Sequence, residues 1–483
     1  MSLFVFVLHI PFLEADPTVL IPYGRDAFTD EGLYASQIRN YVHHHNLTLY
    51  ESDALIKTPL YGFMQYLWYS TVGISQVKAR LLNLVFVIIM LIAVSQIHNN
   101  YKILLSILLA GILTMQPLFN YNHYSMAEML SGILILCSIL VFTEAVLKNS
   151  CLYAFTSAVL LSFSWGLKIQ FLYILPAMVL AVVILFLIRL VKHKNLCKAG
   201  GKITFTYVTT AVVFSVLFLL LWKMPHNQFF GYVMKKQTAN RWVPYEELHD
   251  YIDKMYEYYF LNDIFKPSVY LFYVVVVTDF LLSLILRNNN RFLLILFFTA
   301  VWFIAELHKL KMYYLPVRYL VTLFLSGGFI IAIIINELLT NKIRFISLKV
   351  LFRVAAVSAL IYLLYYNSNN YIKQYQKRTF AIKEINEYFA NYNFDNRPVI
   401  GAWAPSLTWK SNALTLPVWN NYFNYFGINH VLEKYQPKII ITETDEADSG
   451  QAYTLNGINF ETAAYSILHK EIHNWNIKII WLK

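Results

Sequence analysis

Apolar runs of about 16–22 residues recur along most of this chain, and nothing else in it restricts the fold so strongly. A hydrocarbon core about 30 Å thick is crossed by roughly 20 helical residues. We read membrane spans at residues 2–13, 77–97, 102–119, 126–147, 151–167, 169–190, 203–222, 267–286, 292–307, 319–337 and 349–366. The first is short, since about 12 residues rise only ~18 Å as helix. It lacks the basic flank of a cleaved signal peptide and reads as a signal-like anchor or as the remnant of a longer segment. Composition agrees: 58% of the 483 residues are hydrophobic and only 14% charged, too little charge to cover a water-facing surface.

The net charge of +11 belongs to orientation rather than to a nucleic-acid partner, because the cations cluster between apolar runs. With the N-terminus cytoplasmic, the short inner loops carry Lys102, Lys148, Arg189, Lys192, Lys194, Lys198, Lys202, Arg287, Arg291, Lys342, Arg344 and Lys349. The short outer loops carry only Lys168, Lys309, Lys311 and Arg318. The positive-inside rule therefore places residues 14–76, 223–266 and 367–483 outside the membrane. The last of these alternates a helical stretch, "YIKQYQKRTFAIKEINEYFANY", with β-rich runs "RPVIGAW", "PKIIITET" and "IKIIWLK", which predicts a small α/β domain. Residues 1–366 are then the membrane domain. Cys137, Cys151 and Cys197 have neither paired nor metal-ligand spacing.

Against this oily background, one N-terminal block is polar: "GRDAFTDEGLYASQIRNYVHHHNLTLYESDALIKTPLYGFMQYLW", Gly24 to Trp68, which holds Asp26, Asp30, Glu31, Asp53 and Lys57. Its periodicity predicts two amphipathic helices lying along the outer interface, the second opening at Pro59. Asp30 and Glu31 then sit at the N-terminal end of the first and can simply cap it. A carboxylate at the membrane surface can equally act as a general base, and Lys57 can hold a phosphate as a point charge. Spacing alone leaves both readings open. Lys309, Lys311 and Arg318 lie against the positive-inside trend; they either snorkel to outer headgroups or bind a phosphate. His43, His44 and His45 are consecutive, so on a helix they diverge and form no metal site. Asn46-Leu47-Thr48 is a glycosylation sequon with meaning only in a host that glycosylates asparagine.

The order of short motifs resembles a known family. "D-E-x-x-Y-A-x-x-x-R" (Asp30, Glu31, Tyr34, Ala35, Arg39) is followed by "K-T-P-L-Y" (Lys57 to Tyr61), with Thr58 in place of a proline. Gly73 and Arg80 then match a "G-x-x-x-x-x-x-R" entry to the next span. These elements resemble the opening of the GT-C membrane glycosyltransferases, in the branch holding the protein O-mannosyltransferases and the bacterial aminoarabinose transferase of lipid A. Further along, Glu128 in "NYNHYSMAEMLSGIL" stands where that family usually carries a second acidic residue. Lys168 and Pro176 match its "glxK…lP" segment, and Arg318 and Tyr319 its "RYLLPxxP" segment without the later proline. "VIGAWAPSLTWKSNALTLPVW" resembles the tail domain of bacterial members.

The resemblance implies an all-α polytopic bundle of GT-C type with about eleven spans and a small C-terminal extracytoplasmic α/β domain. It implies inverting transfer of a sugar from a polyprenyl-phosphate donor to a lipid, glycan or protein acceptor, in contact with membrane lipids. The setting it implies is the outer side of a bacterial inner membrane. Asp30 is then the base, Glu31 and Glu128 supporting carboxylates, and Lys57, Lys168, Arg318 and Tyr319 substrate contacts. Whether a divalent metal takes part is open, since no ligand set is readable. The rival readings are a transporter or flippase, and a polymerase, for a lipid-linked glycan. Transporters usually keep ionisable groups near the midplane and show internal repeats, and this chain does neither.

Overall fold

The computed structural model describes residues 2–18, 25–97, 115, 118–192, 197–238, 242–255, 290–313, 315–340, 346–394, 397–418, 424–443, 453–454, 457 and 464–483. The spans read at 267–286 and over most of 102–119 lie outside the described residues, as do 239–241 and 256–266 of the second external loop.

Helices dominate, and their burial separates a hub from a rim. In Ala127–Lys148, 94% of the apolar window is buried, and in Val317–Ile334 89% is; in Ile169–Val191 and Gly200–Lys223 only 28% and 22% are. The first two are therefore the protein-facing centre of a bundle and the others its lipid-facing edge. Ala127–Lys148 packs against the helices Cys151–Leu167, Val317–Thr340, Gln76–Ile97 and Asn290–Glu306. Five described helices are long and apolar enough to cross a membrane, or six if Pro59–Val72 and Gln76–Ile89 form one span. That pair is bent by 118° at Gly73, whose φ of +82° is readily adopted only without a Cβ.

The tail is a five-stranded sheet of order β2-β1-β3-β5-β4. Its strands are β1 (Val399–Ile400), β2 (Thr415–Leu416), β3 (Ile439–Glu443), β4 (Ala464–Ile472) and β5 (Trp475–Leu482). β1 pairs in parallel with β2 and β3, while β5 is antiparallel to β3 and β4. The helices Ala381–Ala390, Ala404–Leu407 and Ile428–Tyr435 complete the expected α/β layer. The helix Ile346–Gln376 runs ten residues past residue 366, because 367–376 is polar but contains neither Gly nor Pro to stop a helix.

The polar block is also placed differently from expectation. Its first helix, Asp26–His44, is not an interfacial helix with a wet face: every residue from Asp26 to Asn40 is buried. It lies between the bundle and the tail, and most of its polar side chains meet a partner there. Arg39 donates to the carbonyls of Pro405 and Thr408, both at 2.5 Å. Asn40 donates to the Thr415 carbonyl at 2.8 Å. Gln37 donates to the carbonyls of Thr48 and Ser52 and accepts from the Leu55 amide at 2.7 Å, shaping the following loop. Gly32 permits the approach, since a Cβ there would lie 2.4 Å from the Ser406 amide nitrogen.

The N-terminal segment is tied down in the same region. Asp16 accepts from the amides of Ala381 and Ile382, both at 2.9 Å, at the start of a tail helix. Arg25 ion-pairs with Glu443 at 3.1 Å at the end of β3. Trp222 donates to the Ile56 carbonyl, and Phe229 packs on Tyr50 and Tyr425. Parts of residues 14–76, 223–238 and 367–483 thus gather at one end of the bundle.

Candidate active site

The buried helix Asp26–His44 begins one turn before Asp30, so the acidic pair does not cap it. Residues four apart share a helix face, and Asp26, Asp30 and Tyr34 form one stripe. Three other elements bring charge to that stripe. The helix Val317–Thr340 carries Arg318 and Tyr319 in its first turn, just after Pro316. Glu128 stands in the first turn of Ala127–Lys148. Lys168 occupies the extended link where Cys151–Leu167 ends, at φ −152°.

The contacts are close. Arg318 Nη1 lies 2.5 Å from Asp26 Oδ1 and 2.8 Å from Asp30 Oδ2. Tyr121 donates its hydroxyl proton to the other Asp26 oxygen at 2.5 Å. Lys168 ion-pairs with Glu128 and donates to the Tyr34 hydroxyl at 2.7 Å. The Tyr319 ring lies 5.1 Å from Arg318 Cζ and 5.4 Å from Lys168 Nζ, within cation–π range of both. Three carboxylates thus face two cations in a largely dry space.

Asp30 and Glu128 each keep one buried carboxylate oxygen without a hydrogen bond, and of the two Asp30 is the one whose ion pair is not also a hydrogen bond. Its Oδ2 is buried and meets Arg318 as an ion pair without a hydrogen bond, and 9% of its side chain remains accessible. Burial pushes the Asp30 carboxyl up to about 6; Asp26 and Glu128 push the same way, while Arg318 and Lys168 oppose them. A carboxylate so tuned takes up a proton near neutral pH, as a general base must.

Other residues singled out in the sequence have different partners. Glu31, the next residue, turns about 100° round the helix and enters a fully bonded clamp. Arg80 donates to Glu31 at 2.9 and 2.5 Å and to the carbonyls of Phe12, Leu13 and Ala15, and the Ser125 amide donates to Glu31 at 2.8 Å. Lys57 ends the short helix Ala54–Lys57 and pairs with the buried Asp53 at 2.7 Å. Lys309 does not snorkel. It is buried, pairs with Glu306 at 2.5 Å, and donates to the Tyr319 carbonyl at 2.9 Å and the Thr322 hydroxyl at 3.0 Å. Lys311 is exposed. His44 bonds the Asn412 carbonyl at 2.7 Å, and among the described residues no three His, Cys, Asp or Glu side chains converge as metal ligands.

The site thus joins Asp30, Glu128, Lys168, Arg318 and Tyr319, and adds Asp26, Tyr34 and Tyr121. Asp26 was visible as the residue four before Asp30. Tyr121 carried no signal, because only its long-range bond to Asp26 marks it.

No protein-family model and no curated protein matches the chain. Solved structures do. The crystal structure of ArnT from Cupriavidus metallidurans bound to undecaprenyl phosphate aligns with a TM-score of 0.58 at 13% identity, over 99% of this chain and 96% of that one. The apo crystal structure of the same protein aligns with a TM-score of 0.62 at 13% identity, over 99% and 97%. With its apolar bundle, its carboxylate-bearing helix Asp26–His44 and its small sheet all inside that alignment, the chain has the ArnT-like GT-C fold.

Proposed function

We propose that the protein is a membrane glycosyltransferase that moves a sugar from a polyprenyl-phosphate donor to a hydroxyl or amine acceptor at the outer membrane face. The observation that carries this reading is Asp30: a buried, incompletely bonded carboxylate with raised proton affinity, set beside cations able to hold a phosphate. The fold agrees with it, because a structure aligned over nearly the whole chain was solved with undecaprenyl phosphate. The cation count puts the site outside.

Asp30 removes the proton of the acceptor as the acceptor attacks the anomeric carbon. The bond from that carbon to the phosphate oxygen breaks, its electron pair stays on the phosphate, and the product polyprenyl phosphate gains one negative charge. Attack opposite the leaving group inverts the centre. Arg318 can grip the phosphate with two parallel hydrogen bonds, and Lys168 supplies a point charge. Glu128 and Tyr34 hold Lys168 in place, and Glu31 holds the N-terminal segment that walls the site. The leaving phosphate is stable, so positioning and fixed charge supply most of the rate acceleration.

Mass spectrometry of envelope lipids and glycans from cells with the wild-type gene, with Asp30→Asn, and without the gene tests this. A sugar missing from the same acceptor in the last two strains is the expected result. An intact lipid-linked glycan accumulating in both would instead mean transport.

A further inference from the structure

We propose that Asp26, anchored by Tyr121, is a positioning residue: it shares the Arg318 charge with Asp30 and so keeps Asp30 able to accept a proton. This rests on the reading of Asp30 as a base, yet its evidence is separate. A single guanidinium nitrogen of Arg318 lies 2.5 Å from Asp26 and 2.8 Å from Asp30, the nearer contact being to Asp26. Tyr121 holds the other Asp26 oxygen, so the carboxylate is fixed from both sides. Asp26 also has φ +30°, a strained value for any residue with a Cβ, and such strain persists only where surroundings enforce it.

The reason for a second carboxylate is electrostatic. An arginine devoted to one aspartate stabilises its ionised form and lowers its pKa by about 1–3 units, which makes a poor base. Here the cation is divided, and Asp26 adds a repelling charge of its own. The other charges facing Asp30 oppose one another. Lys168, from the link after Cys151–Leu167, is paired with Glu128 from Ala127–Lys148, and burial keeps the Tyr34 hydroxyl protonated. Burial raises Asp30 and Asp26 raises it further, against the pull of Arg318.

The test is pH-titrated infrared difference spectroscopy on the purified full chain in lipid nanodiscs, with Asp30→Asn identifying the Asp30 carboxylic-acid band. In the wild type that band should titrate near 6. Asp26→Asn removes a repelling charge and leaves all of Arg318 to Asp30, so the midpoint should fall by roughly one unit. Asp26→Glu should restore it. Asparagine can still accept the Tyr121 hydrogen bond, and Asp26→Ser serves if that variant does not fold. A midpoint that stays or rises in the folded variant, or no Asp30-dependent band near 6 in the wild type, overturns the proposal. Should sugar transfer instead survive Asp30→Asn while the midpoint still shifts in Asp26→Asn, the general-base reading fails and the shared arginine stands.

Discussion

Asp30 and Glu31 are neighbours in the chain and opposites in the structure. Glu31 is closed on every side: Arg80 grips it through two nitrogens, the Ser125 amide adds a third donor, and the remaining Arg80 donor holds three carbonyls of the N-terminal segment. Asp30 has half a share of one arginine and a buried oxygen without a hydrogen bond. A fully satisfied buried ion pair leaves nothing for a substrate to do, and its removal costs stability. A partly satisfied one keeps free energy available for a ligand or a proton. The contrast teaches that burial and charge by themselves do not mark a reacting group; the unfilled bonding capacity does. Glu306 falls on the closed side, bonded to Lys309, Thr322 and Trp302.

Four measurements would break or sharpen that contrast. The largest effect is expected in Asp30→Asn, which keeps shape and loses the proton-accepting charge. Turnover should fall ~10²–10⁴-fold with thermal stability near wild type; turnover within a few-fold of wild type would put Asp30 on the structural side and make Glu128 the next candidate. Arg80→Ala should behave in the opposite way. It strands Glu31 in the interior, so a loss of about 3–5 kcal/mol in unfolding free energy is expected, with the surviving folded fraction turning over nearly normally. A stable but inactive Arg80→Ala protein would move the Glu31 clamp into the site.

Donor grip comes next. Arg318→Ala should weaken undecaprenyl phosphate binding by ~1.5–3 kcal/mol, and Arg318→Lys should recover part of that, because lysine lacks the planar fork. Lys57→Ala should cost about 1 kcal/mol or less, since that cation is partly exposed and already paired with Asp53. Equal losses in the two alanine variants would place Lys57 in the phosphate site beside Arg318. A change of pH tests the same carboxylate without a substitution. Asp30 is raised to about 6, so its base form is lost as pH falls through that value. The rate at pH 5 should be about a tenth of that at pH 7, and a rate independent of pH across this window would remove Asp30 as the titrating base.

Much of this was legible before the fold. The apolar runs at 126–147, 169–190, 203–222 and 319–337 became helices within a few residues of those bounds. "RPVIGAW" and "PKIIITET" contain β1 and β3, and "IKIIWLK" most of β5. β2 is two residues long and β4 is largely exposed, so neither has the apolar pattern by which a strand is read. The helix Asp26–His44 was expected at the membrane surface because its polar residues read as a wet face. Its Gln37, Arg39 and Asn40 instead bond chain carbonyls, those of Arg39 and Asn40 lying hundreds of residues away.

The apolar runs alone make this a helical membrane protein with an acidic polar segment near its N-terminus, since hydrocarbon admits only long apolar helices and expels charge. Helical periodicity turns Glu31 away from the face of Asp30 and Tyr34, but only the structure starts the helix early enough to add Asp26 to that stripe. Only the tertiary structure decided what each face meets. Arg318 is 292 residues from Asp26 and Arg80 is 49 from Glu31, and no local pattern encodes contacts over such separations. Which carboxylate is sealed and which is left open is therefore a property of packing.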